Sequence, residues 1–343
     1  MEFPRCQQKS NGSLPLVSVA ICTRDRSRNL RSCLRSIQNL SYPDLEIMVV
    51  DNAPGTDATR LVSKQYSNVR YLVEPRPGLD WARNRAIMEA RGKIIAFSDD
   101  DVVVDPEWIE KLVRVFTEDS QVMAVTGLVV PYELETKAQI LFERYGGFEK
   151  GFEFRRFQRI CQNSKLSRAY LNAGELGTGA NMAFRLSLFY EIGGFDPSLD
   201  TGTLTCGGGD LEMLFRVIHE GYPLVYEPNA MVRHVHRRTY KALRYQIIGW
   251  GTAFVAFLMR SAMAYPEIKC KIWCFLMRWF VGRHLIRLFK HLRGPEQIPL
   301  DLMLAELWGS LTGLFAYHKA RLVSKKIESD FGPADDIQSR ESH

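Results

Sequence analysis

The sequence predicts an α/β fold: a Rossmann-like, mostly parallel sheet flanked by helices, followed by a C-terminal helical basic extension. Three observations predict it. Apolar runs of strand length alternate with helical patterns through residues 15 to 116. Polar residues gather where those runs stop, and beyond Tyr240 the apolar spacing becomes helical while the charge turns basic.

"PLVSVAICT" (residues 15 to 23) is a β-rich apolar run, after which Leu30, Cys33, Leu34 and Ile37 recur at helical spacing. "LEIMVVDN" (45 to 52) and "VRYLVE" (69 to 74) read as a second and a third strand, with a turn and a helix between them. Asp80 is placed to cap a helix through "WARNRAIMEAR". "KIIAFS" (93 to 98) is a fourth strand, and Asp105-Pro106 starts a helix to about Phe116. Farther on, "VMAVTGLVV" reads as a strand and "LGTGANMAFR" (176 to 185) as a glycine-rich loop entering another. "GGGDLEMLFRVIHEGY" is a loop giving way to a helix, and "PLVYEPNAMVRHVH" supplies two short strands. In such a sheet the ligand site lies at the carboxyl ends of the strands. That rule gathers Thr23 and Arg24, Asp51 and Asn52, and Asp99, Asp100 and Asp101 at one edge.

Three neighbouring carboxylates repel one another unless a positive charge sits among them. After a buried strand they can hold a hard divalent cation, Mn²⁺ or Mg²⁺, together with phosphate oxygens. Side-chain alternation sends Asp99 and Asp101 to one side and Asp100 to the other, which makes a DxD pair. There is no EF-hand loop, which argues against calcium. Asp210 follows three glycines and precedes a helix; it either caps that helix or accepts a proton from a hydroxyl nucleophile.

Seven stretches in order, "VSVAICTRDR", "VVDNAPGTD", "GLDWARNRAI", "IIAFSDDDVVVDPEWIEKL", "GTGANMAFR", "IGGFDPSLD" and "GGGDLEMLFRVIHEGYPLVYEPNAMVRH", resemble the family-2 glycosyltransferases of the GT-A fold. The resemblance covers roughly residues 15 to 240. It implies an inverting transfer from a nucleotide-diphosphate sugar, with UDP the family-weighted nucleotide, to an acceptor hydroxyl on a glycan or lipid-linked acceptor. Thr23, Arg24 and Asp51 would meet base and ribose, and Arg83 the diphosphate. Asp99, Asp100, Gly179, Ala180 and Asn181 would surround the sugar, Asp101 and His234 would ligate the metal, and Asp210 would be the base. Gly209 departs from the many relatives that carry an acid directly before the base. The glutamine of the processive synthases' QxxRW motif is missing from Phe275-Leu276-Met277-Arg278-Trp279, which points to single-sugar addition. A catalytically silent nucleotide-sugar-binding scaffold at the membrane is the competing reading.

With 343 residues, 46% hydrophobic and 24% charged, the chain can bury a core and is not a disordered polyampholyte. Seven cysteines without a CxxC pair or zinc spacing read as reduced thiols. The start, "MEFPRCQQKSNGSLP", has no apolar signal core, so residues 1–14 are expected to be a disordered tail and the chain cytoplasmic. The net charge of +6 conceals a basic block: residues 233 to 293 hold thirteen Lys/Arg against Glu267. Such a block suits an anionic membrane surface, and no nucleic-acid recognition motif accompanies it. Within 272 to 293, Val281, Leu285, Leu288 and Phe289 share one helical face, and Arg283, Arg287 and Lys290 the other. That face either lies in the membrane interface or packs on the catalytic body. Residues 247–259 are shorter than the ~20 residues of a spanning helix, and 298–317 contains Asp301 and Glu306, so attachment is expected to be peripheral. The predicted organisation is a GT-A domain over 15–240, divided at 101 into nucleotide and acceptor halves. A membrane-associating helical extension over 241–325 and a tail over 326–343 follow.

Overall fold

The computed structural model describes residues 14–158, 171–293 and 298–332, together with Ile337. Its strands are β1 (Val17–Thr23), β2 (Leu45–Asn52), β3 (Val69–Glu74), β4 (Ile94–Asp99), β5 (Val102–Val104), β6 (Ala124–Pro131), β7 (Arg155–Phe157), β8 (Asn181–Arg185) and β9 (Leu224–His234). They form one sheet in the order β3-β2-β1-β4-β8-β6-β9-β5, with β7 on β9. The first four strands are parallel, as are β6 and β9; β8 runs antiparallel between β4 and β6, and β5 antiparallel to β9.

Helices α1 (Ser27–Ile37), α2 (Ala58–Ser63), α3 (Leu79–Glu89), α4 (Trp108–Glu118), α5 (Lys137–Tyr145), α6 (Leu188–Ile192) and α7 (Gly209–His219) cover the sheet. The strand period of two divides the core. Val17, Val19, Ile21, Val49 and Ala96 face α1 and α4, while Ala20, Met48, Val50 and Phe97 face α3 and α7. Register then delivers the polar ends together, since Thr23 lies opposite Asp51 and Cys22 opposite Asp99.

Three local expectations change. The stretch read as two short strands is one, β9, whose ladder with β6 slips between Gly127 and Leu128. Gly127 permits this bulge because a Cβ there would stand 2.1 Å from the Ala230 carbonyl oxygen. Asp80 lies inside α3 and does not cap it; Asp200, distant in sequence, accepts hydrogen bonds from the Leu79 and Asp80 N–H groups at 2.5 and 2.9 Å. The third concerns the carboxyl-terminal part.

Beyond β9 come α8 (Tyr240–Ala264), α9 (Lys269–Phe280), a π-helical stretch (Val281–Ile286), α10 (Arg287–Arg293) and α11 (Leu300–Phe331). Residues expected to begin the terminal tail at 326 therefore continue α11. α8 is long and apolar enough to cross a membrane, but 67% of its most apolar window is buried. It crosses α11 at backbone contact: a Cβ on Gly309 would meet the Ile248 carbonyl at 2.1 Å, and one on Gly251 the Glu306 carbonyl at 2.4 Å. Phe254, Val255, Phe257 and Leu258 enter the same core as Phe97 and Phe215, so no packing seam divides the chain near 240.

The basic helix is arranged inside out. Arg283 donates through Nε to both oxygens of buried Glu306 at 3.0 and 3.1 Å, Arg287 lies 3.8 Å from it, and the Tyr145 hydroxyl donates at 2.7 Å. Trp273, Met277, Val281, Leu285 and Phe289 are exposed instead, as are Leu304, Trp308, Leu311 and Phe315 of α11. The apolar face therefore does not pack on the catalytic body. Removing the carboxylate would leave two arginines facing each other in a poorly hydrated space. Glu306→Ala is expected to lower unfolding stability by about 3–5 kcal/mol, read from the urea midpoint.

Candidate active site

The edge where β1, β2 and β4 end carries the aspartates, and their positive neighbour is a side chain. Arg26, in the turn before α1, sets Nη1 2.7 Å from Asp100 Oδ1 and donates from Nη2 to Asp101 Oδ2 at 2.5 Å. Thr23 donates its hydroxyl to Asp100 Oδ2 at 2.6 Å. Asp100 is thereby buried under Thr23 and Arg26, outside the cavity described below; burial pushes its pKa up to about 7. Burial alone would also raise Asp101, but His234 and Arg26 beside it outweigh that and hold it below the usual carboxylate range. Asp99 is the most open of the three, and burial with the neighbouring Asp101 raises it. Arg24 is exposed.

Asp51 is fully buried. Its Oδ2 accepts from the Tyr71 hydroxyl at 2.7 Å, and burial raises its pKa against the opposing pull of the Tyr71 and Thr59 hydroxyls.

A second group forms around buried Arg83. Its Nη1 donates to Asp80 Oδ1 at 2.9 Å and its Nη2 lies 4.0 Å from Asp99. Burial would weaken its charge, but Asp80, Asp99 and Asp210 together more than compensate. Asp210 sits in the first turn of α7, where Gly208 is the cap residue, so the capping role is not its own. Its Oδ2 accepts the Gly179 N–H at 2.8 Å and its Oδ1 the Leu211 N–H at 2.9 Å. Gly179 is required there, because a Cβ would lie 2.6 Å from Arg83 Nη2 and 3.1 Å from Asp210 Oδ2. Gly209 is explained likewise: its Cβ position is 1.8 Å from Asp80 Oδ2. Asp80 of α3 fills the space beside Gly209. Asn181 has a structural place, accepting from Trp108 Nε1 at 2.8 Å and donating to the Leu128 and Ala230 carbonyls at 3.0 and 2.7 Å.

Asp80, Arg83, Asp99, Gly179, Ala180 and Asp210 line one wall of a cavity of about 450 Å³. The loops over 172–178 and 199–208 line it too, and the loop after α5 and the carboxyl-terminal helices add Phe148, Lys150, Trp250, Phe254, Trp279 and Arg283. Nearby, β5 pairs with β9 so that Val102 lies opposite His234. His234 Nε2 therefore stands 3.3 Å from Asp101 Oδ1. Its Nδ1 is 2.9 Å from His236 Nδ1, and His236 Nε2 is 2.8 Å from Glu143 Oε1.

The model of glycosyl transferase family 2 matches residues 18–193, just over half of the chain. The chain belongs to glycosyltransferase family 2. The matched span includes every site residue from Thr23 to Asn181 and ends before Asp210 and His234. A glucosyl-dolichyl phosphate glucuronosyltransferase of Haloferax volcanii is 24% identical over 64% of this glycosyltransferase and 68% of its own length. Glycosyltransferase AglE of the same organism is 25% identical over 73% and 77%. Among solved structures, a mannosyltransferase from Pyrobaculum calidifontis in complex with GDP-Man and Mn²⁺ superposes with a TM-score of 0.52. At 16% identity it covers 93% of this chain and 76% of that one, a likeness of fold that matches the expected GT-A architecture.

Hydrogen-bond accounting tests whether this glycosyltransferase suits a metal. Ionised Glu143 only accepts, so His236 donates from Nε2; a neutral His236 then accepts at Nδ1, and His234 donates from Nδ1. Protonated, His234 Nε2 donates to Asp101 Oδ1; deprotonated, the same nitrogen would offer a lone pair beside that oxygen. Two acceptors at 3.3 Å suit adjacent ligands of a cation with bonds of ~2.1 Å. Among the described residues no third His, Cys, Asp or Glu joins them. Asp101 and His234 would offer a divalent cation two ligands.

Sequence reasoning named His234 but not its supports. "RHVH" carried the signal, because residues two apart share a strand face. Arg26 was readable only as one of several arginines in "TRDRSR", and Asp200 had no local signal. Since an outer partner fixes ring orientation and tautomer, His236→Ala and Glu143→Gln are each expected to weaken Mn²⁺ binding about 10- to 100-fold. Electron paramagnetic resonance titration of the nucleotide-bound protein measures it.

Proposed function

We propose that the enzyme transfers a single sugar from a nucleotide-diphosphate sugar, a UDP-sugar in the first instance, to an acceptor hydroxyl with inversion at the anomeric carbon. Its products belong to cell-surface polysaccharide, glycolipid or lipid-linked glycan synthesis. The observation that carries this reading is Asp210, whose Oδ2 is held at 2.8 Å by the Gly179 N–H in the wall that also contains Arg83 and Asp99.

The backbone N–H fixes the carboxylate and leaves its remaining lone pairs for a hydroxyl proton. As the acceptor oxygen bonds to the anomeric carbon, Asp210 takes that proton and the bond to the diphosphate breaks on the opposite side. Arg83 stays charged beside the departing oxygens, in a poorly hydrated setting where its field acts strongly. Asp99 is open to the sugar hydroxyls, and Asp51 at the end of β2 is the contact for the base edge. Asp101 and His234 would hold Mn²⁺ or Mg²⁺, which neutralises charge on the leaving diphosphate when bound. Asp210→Asn is expected to lower kcat by about 10²–10⁴-fold with nucleotide affinity nearly unchanged, as measured by product release and calorimetry.

We also propose peripheral attachment to the cytoplasmic face of an anionic membrane. The outward stripes on α9 and α11, with Trp308 and Phe315 62% and 69% exposed, support it, as does the basic block around them. The double variant Trp308→Glu, Phe315→Glu is expected to lose flotation with phosphatidylglycerol vesicles while keeping nucleotide binding.

A further inference from the structure

Most charges lining the cavity are balanced. Arg83 has Asp80 and Asp99, and Glu306 has Arg283, with Arg287 behind it. Lys150 is the exception among the lining cations, and Glu175, an exposed carboxylate on the same lining, forms no ion pair with it. Its ammonium has no hydrogen-bond or ion-pair partner among the described residues, although the side chain is half-buried and faces the cavity. Burial lowers its pKa, and Arg155 and Arg283 lower it further against the pull of exposed Glu175. Arg283 meets Glu306 only through Nε, so its two Nη groups form no hydrogen bond within the described residues. Two cations with unused donors therefore line the cavity together with four aromatic rings: Phe148, Trp250, Phe254 and Trp279. Phe254 and Trp279 lie 4.6 Å apart, tilted by 34°.

Resting on the glycosyl-transfer reading above, we propose that the acceptor carries a phosphate or diphosphate, bound between Lys150 and Arg283, with its sugar ring against the aromatic wall. The donor's diphosphate is served by Arg83, Asp101 and His234 at the strand ends. Lys150 and Arg283 belong instead to the loop after α5 and the π-helical stretch. Burial strengthens their attraction for an anion, because little water competes. The aromatic faces suit the apolar C–H face of a pyranose. The reaction itself is unchanged: the acceptor hydroxyl oxygen gains the glycosyl bond, its proton goes to Asp210, the donor diphosphate leaves, and the acceptor phosphate stays intact.

The test uses the full chain, first saturated with Mn²⁺ and whichever of UDP, GDP or dTDP binds, so that the donor phosphate site is filled. Calorimetry then follows binding of inorganic pyrophosphate and of octyl diphosphate. Both are expected to bind, with Kd raised at least about tenfold in Lys150→Gln, restored in Lys150→Arg, and nucleotide affinity within about twofold throughout. Tighter binding of octyl diphosphate identifies a lipid phosphate as the source, and equal binding a soluble sugar phosphate; either supports the proposal. Equal affinities in wild type and Lys150→Gln, or binding only when the nucleotide is absent, would overturn it. Loss of nucleotide binding in the wild type would instead sink the transferase reading, so the two failures are distinguishable.

Discussion

The site depends on holding many carboxylates at one sheet edge without mutual repulsion. A parallel sheet ends its strands on the same side, so Asp51, Asp99, Asp100 and Asp101 arrive together by topology alone. Two arginines make that tolerable. Arg26 is clamped between Asp100 and Asp101, and buried Arg83 stands among Asp80, Asp99 and Asp210. Each neutralises part of the cluster from within the chain, and each leaves specific oxygens uncommitted. What remains is Asp101 Oδ1 facing His234, and Asp210 Oδ2 with one N–H.

Crowding of this kind needs backbone without side chains. Gly179 and Gly209 stand where a Cβ would collide with Arg83 or Asp80, so the glycine-rich loops are packing requirements of the charge cluster. The same logic recurs between α8 and α11, where Gly251, Gly309 and Gly313 let two helices touch backbone to backbone. In both places glycine is chosen for closeness, and neither Gly179 nor Gly209 adopts a left-handed conformation.

The strands and the edge where the site lies were legible because each depends on local pattern: strand period, apolar runs and the polar residues that end them. β1 to β4 begin and end within a residue or two of expectation. What was hidden depends on distance in sequence. Asp200 caps a helix that starts 121 residues earlier, Glu143 orients His236 from another element, and Asp80 fills the space above Gly209. The facing of the basic helix was hidden too, because periodicity separates two faces without saying which turns inward. Buried Glu306 decides that, drawing arginines in and leaving apolar residues out.

The Asp200 clasp on α3 makes mechanics out of what looks like a cap. Residues 197 to 208 line the cavity through Leu199, Thr201 and Cys206, and their only carboxylate holds the first N–H groups of the helix that carries Arg83. One carboxylate thus ties the position of the cavity-lining loop to the start of the helix that carries Arg83.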